Sequence, residues 1–279
     1  MGQTLADLQA PLAPWDPKAW YYTAARALLA CGATVSEGLS IGRTHGFDSG
    51  VMLDYVYRNE ACGLGPLGRF VDRLYLDAPG WAGIRNRGRL LQQTIVREIL
   101  DRPERPVRLA DLACGGGRYV LGALAELGSA RFDAVLRDYR RENCETARWN
   151  AAKAGLLVKV ERGDAFDPAA LATLGTRDIV VVSGLHEIIV DNDRVRIHFQ
   201  QIRDVLPVGG TLILTIQPDH PQLEFIARVL RSHTGRPWAM RLRDRDLTRT
   251  WLQEAGFGIR SVRMEARGIF GVMIADRVA

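Results

Sequence analysis

The sequence predicts an α/β protein with a seven-stranded, mostly parallel, doubly wound sheet, a C-terminal antiparallel hairpin and an N-terminal helical lid. Three observations lead there. From residue 105 onward, short apolar runs alternate with helical periodicity, which requires a largely parallel sheet covered on both faces. The last two runs are separated only by Ala266-Arg267-Gly268, too little chain for a crossover helix, so they must pair antiparallel. Before residue 105 there is no strand pattern, only helical spacing interrupted by glycine and proline.

The expected organisation is a helical, substrate-enclosing segment over 1–104 and a catalytic segment over 105–279. Within 16–41, Trp20, Ala24, Ala27, Leu28, Cys31, Val35 and Leu39 recur at three- and four-residue spacing and form one apolar stripe. Residues 46–81, punctuated by Gly46, Gly50, Gly63, Gly65, Pro66 and Pro79, read as short helices joined by turns. A further helix over 82–101 stops at Asp101-Arg102-Pro103. Strands are expected at 107–112, 132–138, 157–163, 178–184, 210–217, 259–265 and 269–276. Helices are expected between them at 117–127, 141–154, 191–205, 221–233 and 244–255.

With 279 residues, 47% of them hydrophobic, the chain can bury a full core. No apolar run reaches the roughly 18–20 residues of a membrane span, and the N-terminus lacks the pattern of a signal peptide. A soluble, cytoplasmic protein without membrane partners is expected. Cys31, Cys62, Cys114 and Cys144 lie far apart with no CxxC pair, which argues against a metal or disulfide framework. The charge of +5 combines three lysines with 34 arginines. The arginines are spread along the chain, and the densest group, Arg85-Arg87-Arg89, is expected to be exposed on a helix. Charge therefore gives no argument for nucleic acid, and a small-molecule partner is expected; oligomeric state is not legible.

The stretch RLADLACGGGRYVLGALAEL, residues 108–127, runs from a strand through a glycine turn into a helix. A dinucleotide fingerprint would need a further glycine three residues after Gly117, where Val120 stands. What fits is AxGxG (Ala113, Gly115, Gly117) preceded by Asp111, a pattern suited to S-adenosylmethionine (SAM). The following strand ends supply matching groups. Asp138 can accept from ribose hydroxyls, with Tyr139 beside it. Asp164 can accept from the adenine amino group, the Ala165 N–H can donate to the ring, and Phe166 offers an apolar face. The fourth strand delivers Ser183-Gly184-Leu185-His186-Glu187 to the same edge, where open α/β sheets bind ligands.

The run Arg108–Asp276 resembles the class I SAM-dependent methyltransferase fold, which is Rossmann-like. More narrowly, LRDYRREN, GDAFD, VSGLHEI, QPDHPQLE and the stretch from Gly46 to Arg85 resemble a little-characterised bacterial methyltransferase-like group. Overall the chain is similar to bacterial azetidine-2-carboxylate synthases, enzymes of secondary metabolism. That resemblance implies a SAM cyclase, a carbon–sulfur lyase in which the SAM amine attacks its own Cγ to give azetidine-2-carboxylate and methylthioadenosine. The group often has tyrosine where this chain has His186.

Two other readings stay open: a conventional small-molecule methyltransferase, a transferase releasing S-adenosylhomocysteine, and a SAM-binding module without turnover. An exposed apolar stripe over 16–41 would mark the last. Candidate catalytic residues are Tyr21, Tyr22 and Tyr55, whose faces could sit near a sulfonium, with His186 to orient or deprotonate the amine and Asn143 to bind substrate. Arg58 and Arg118 are candidates for gripping the substrate carboxylate. No metal is expected: His186-Glu187 opens like HExxH, but Val190 stands where the second histidine belongs.

Overall fold

The computed structural model describes residues 7, 8, 10–103, 105–238 and 240–278. The first six residues of the expected lid, which also bear on the signal-peptide reading, lie outside them, as do residues 9, 104, 239 and 279. The chain forms two compact units, Met1–Arg85 with His220–Arg241, and Asn86–Asp219 with Leu242–Ala279. The sequence placed one division at 104/105; here 220–241 fold with the helical unit and 86–104 with the sheet.

In the helical unit, α1 (Pro17–Gly32) starts where Asp16 accepts from the Lys18 N–H at 2.8 Å, with Pro17 in the first turn. The stripe expected over 16–41 is not one helix. Ser36 Oγ accepts from the Leu39 N–H at 3.1 Å and starts α2 (Glu37–His45). The stripe also divides in burial: Trp20 and Leu28 are each 72% exposed, whereas Leu39 is buried. Then come α3 (Gly50–Arg58), α4 (Gly65–Leu76) and the first turn of α5 (Pro79–Leu100).

Buried Asp72 on α4 ties these helices together. Its carboxylate accepts from Ser36 Oγ, from Tyr55 Oη at 2.6 Å, and from the Gly38 and Cys62 N–H groups, each at 3.0 Å. Burial alone would raise its pKa, but the hydrogen bonds from Ser36 and Tyr55 outweigh it and hold the group below its ordinary value. The helix expected at 221–233 is shorter, α10 (Leu223–Val229). It stops because Leu230 turns extended and Arg231 bridges to Pro237.

The second unit holds a seven-stranded sheet in the order β3-β2-β1-β4-β5-β7-β6. The strands are β1 (Val107–Leu112), β2 (Phe132–Asp138), β3 (Lys159–Arg162), β4 (Ile179–Val182), β5 (Thr211–Ile216), β6 (Phe257–Met264) and β7 (Gly271–Arg277). The first five are parallel, and β7 runs antiparallel between β5 and β6, as expected. Helices α6 (Arg118–Ala125), α7 (Arg141–Lys153), α9 (Asn192–Val205) and α11 (Arg245–Glu254) fall within two residues of expectation. The five-residue α8 (Pro168–Ala172) is too short to show a period and was not foreseen.

One sheet face, with Ala110, Leu112, Val180, Val182, Leu212 and Leu214, packs into a core with Phe199 and Ile202 of α9 and Trp251 and Leu252 of α11. The remainder of α5 runs from the carboxyl edge, where Arg87 meets Phe270, to the amino edge, where Glu98 binds Arg260 at 2.7 Å. Arg87 is therefore buried, at 5% exposure, not displayed with its neighbours. At the amino edge, buried Asp178 receives Arg105, Arg108 and the Arg108 N–H, and so joins the starts of β1 and β4.

Asp72→Ala removes the acceptor of several buried donors, at roughly 1–3 kcal/mol each, and is expected to cost about 3 kcal/mol or more by urea unfolding. A depressed carboxylate stabilises the fold above its unfolded pKa and loses that contribution as pH falls through the folded value. The wild-type advantage over Asp72→Asn should therefore shrink on acidification below about pH 4.

Candidate functional site

The glycine turn after β1 is held in left-handed backbone at three alternate residues, Ala113 (φ +62°), Gly115 (φ +56°) and Gly117 (φ +69°). Alanine bears a steric penalty there, so Ala113 is strained, a feature enriched at functional sites. The two glycines differ. A Cβ on Gly115 would meet open space, whereas one on Gly117 would come within 2.8 Å of Leu136 Cδ2. The turn is pinned from β2 and α7: Cys114 N–H donates to the Arg137 carbonyl at 2.8 Å, and Asn150 Nδ2 donates to the Gly116 carbonyl at 2.8 Å.

Asp138, at the tip of β2, is 5% exposed. Its Oδ2 accepts from the Gly115 N–H at 2.9 Å, and its Oδ1 accepts from the Arg140 N–H at 2.9 Å and Asn143 Nδ2 at 3.0 Å. With about four lone-pair sites on a carboxylate, one remains for a ribose hydroxyl while these bonds stand. Asn143 is thus engaged with Asp138. Tyr139 is exposed, and Arg118 is half-buried at the start of α6.

Asp111 is fully buried. Its Oδ1 accepts from Tyr119 Oη at 2.9 Å, and its Oδ2 has no partner. Burial, with a small addition from Asp138, pushes its pKa well above the usual carboxylate range despite the Tyr119 hydrogen bond. After β3, Asp164 Oδ1 accepts from the Phe166 N–H at 2.9 Å, Ala165 is buried, and the Phe166 ring lies 4.2 Å from the Arg194 guanidinium. After β4, Gly184 (φ +72°) donates its N–H to Thr215 Oγ1 at 2.8 Å, and Ser183 Oγ is buried without a partner.

His186 is 6% exposed, and its Nε2 lies 2.9 Å from His198 Nδ1 on α9. Burial drives both imidazoles toward the neutral form, His186 well below the ordinary value and His198 to about 3. Sequence reasoning placed Glu187 at this edge without a role, and missed His198, Thr215 and Gln217. The local signal was that Thr215 and Gln217 are polar in or just after a fully buried, mostly apolar strand.

Tyr21, Tyr22, Tyr55 and Arg58 belong to the helical unit. Tyr55 is 1% exposed, with its hydroxyl committed to Asp72, and burial pushes its pKa up. The Tyr22 ring lies 5.8 Å from the Arg228 guanidinium, Tyr21 is exposed, and Arg58 stands over Tyr55 with Asp54 3.8 Å away. Among the described residues no group of histidine, cysteine and acidic side chains could hold a metal ion, and no helix is long and apolar enough to cross a membrane.

The strand order is that of the class I methyltransferase fold, and comparison with known proteins bears out that fold. Residues 2–277 match the model of the family described as "Putative methyltransferase". This chain belongs to that family. It is 41% identical over 273 residues to the uncharacterized protein YnbC of Escherichia coli K12, covering 96% of this chain but 46% of YnbC. The chain thus spans less than half the length of that curated relative. Among solved structures it is similar to a "possible exported protein" from Bordetella parapertussis, with TM-score 0.70, 22% identity, and 99% and 92% of the two chains covered. It is also similar to magnesium protoporphyrin IX methyltransferase from Synechocystis PCC 6803 with bound SAH, with TM-score 0.61, 14% identity, and 84% and 97% covered. At these identities the likeness is one of fold.

Two predictions concern this site. Gly115→Ala should cost about 1 kcal/mol, the left-handed penalty alone, whereas Gly117→Ala should cost clearly more, because Leu136 must also move; denaturant midpoints compare them. A buried neutral histidine binds protons less readily folded than unfolded, so its contribution to stability is lost as pH falls below about 6.5. Urea midpoints measured from pH 7 to 5 should fall less steeply in His198→Leu than in wild type.

Proposed function

We propose that the chain binds SAM across the carboxyl ends of β1 to β4 and uses it to alkylate a small molecule. The observation that carries this is the unpartnered Asp111 Oδ2 beside an open, left-handed glycine turn tied to Asp138. A buried carboxyl with one unpaired oxygen suits a cationic amine, which supplies the charge partner that burial otherwise denies it. Asp138 would hold the ribose, and Asp164, Ala165 and Phe166 the adenine. SAM supplies a carbon made electrophilic by its sulfonium. The protein's share is to fix the methionine tail at Asp111, hold the nucleoside at Asp138 and exclude water.

The family match supports methyl transfer to an external small-molecule acceptor. The sequence resemblance to azetidine-2-carboxylate synthases supports the second use, cyclisation of the SAM tail to azetidine-2-carboxylate and methylthioadenosine. The exposed Trp20 and Leu28 support a partner-binding face, and with it a SAM-binding module without turnover.

One experiment separates these readings. Purified protein is incubated with SAM alone and then with a panel of small amines and alcohols, and both the nucleoside and amino-acid products are identified. S-adenosylhomocysteine formed only with an acceptor supports methyl transfer. Methylthioadenosine with azetidine-2-carboxylate from SAM alone supports cyclisation. Binding without any product leaves the module. Asp138→Ala should weaken SAM binding about tenfold or more by calorimetry, through loss of hydrogen bonds to a charged group; unchanged affinity means that the ribose lies elsewhere.

A further inference from the structure

Glu187 is buried and sits in the short 3-10 turn His186–Ile188 that follows β4. Buried Arg243 clamps this turn by donating to the His186 and Ile189 carbonyls, each at 2.6 Å. Glu187 Oε1 accepts from the Thr215 hydroxyl at 2.7 Å, and Thr215 Oγ1 in turn accepts from the Gly184 N–H at 2.8 Å. The carboxylate is therefore aimed. Its Oε2 nevertheless has no partner, and neither do Ser183 Oγ and Gln217 Nε2.

Sheet register puts Thr215, which carries Glu187, on the same face as Asp111. Asp111 lies beside Val181, and Val181 beside Ile213. Because side chains alternate along a strand, Asp111, Ser183 and Thr215 point to one face, opposite the core side chains Leu112, Val182 and Leu214. Gln217 stands two residues beyond Thr215. On this face the Arg87 guanidinium lies 4.9 Å from the Phe270 ring centroid and 3.5 Å from where a Gly184 Cβ would stand. Unpaired buried polar atoms are costly, and a ligand with matching polar groups would relieve that cost.

We infer that Glu187 is the carboxylate facing the nucleophile that SAM alkylates. Its Oε2 accepts the hydrogen bond of an N–H or O–H group and takes that proton as the new bond forms. Gln217 and Ser183 bind a neighbouring acceptor on the same molecule. The substrate class is a small amine or alcohol carrying such an acceptor. The step balances: the nucleophile bonds to carbon, the carbon–sulfur pair stays on sulfur, and the positive charge leaves as the proton on Glu187. This inference rests on the SAM reading and concerns an external nucleophile that takes the methyl group.

Binding tests it without knowledge of the acceptor. Sinefungin carries an amine where SAM carries its methyl group, whereas S-adenosylhomocysteine has nothing there. Calorimetry on the intact chain should show sinefungin binding about tenfold or more tightly than S-adenosylhomocysteine, as a charge-assisted hydrogen bond provides. Glu187→Gln keeps an acceptor for Thr215 and should abolish that preference while leaving S-adenosylhomocysteine affinity within about twofold. A preference that survives Glu187→Gln, or none in wild type, overturns the assignment of Glu187. If the variant does not fold, the wild-type comparison alone decides. If neither ligand binds, the SAM reading itself fails.

Discussion

The Asp138 carboxylate is the tie on which the site depends. It holds the Gly115 N–H at the tip of β1 and the Arg140 N–H at the start of the next connection, so one side chain sets the glycine turn against the second strand end. The turn needs such a tie because Ala113, Gly115 and Gly117 all adopt left-handed backbone. A segment with three positive φ angles is not held by local preference alone, since alanine disfavours that region. Strain at Ala113 is tolerated because β2 and α7 also grip the turn through Arg137 and Asn150.

The buried acids divide by how fully their oxygens are used. Asp72 and Asp178 accept from several donors on both oxygens, and each joins elements that are distant in sequence. They stabilise the frame. Asp111 and Glu187 each have one oxygen engaged and one without a partner. Both engaged oxygens accept from a hydroxyl, of Tyr119 and Thr215 respectively, which fixes the orientation of the carboxyl group. Asp111 and Glu187 thus differ from Asp72 and Asp178 in keeping an acceptor oxygen unused.

The histidines follow a different logic. His186 and His198 face each other and are both driven neutral by burial, in a layer that includes Phe199 and Phe166. That environment suits a rigid polar contact between the β4 turn and α9. In this arrangement His186 shapes the turn on which Glu187 is carried, and Arg243 clamps the turn through the His186 and Ile189 carbonyls.

The sequence by itself determined the sheet, its closing hairpin and the acids at its first strand ends. Alternating apolar runs, the three-residue gap at 266–268 and the Asp111–Gly117 motif are local signals, readable within one turn or one strand. Whether an apolar or charged residue is buried was not local. Tyr55 became a core hydroxyl bound to Asp72, Trp20 and Leu28 stayed exposed, and Arg87 was buried against Phe270. Those outcomes depend on how helices cross. Glu187 meets Thr215, and His186 meets His198, only because strand order and register place β4 beside β5 and α9 beneath them. Periodicity tells a side chain which face of its own element it occupies. Only tertiary packing decides which other element covers that face and which polar atoms it leaves unpaired.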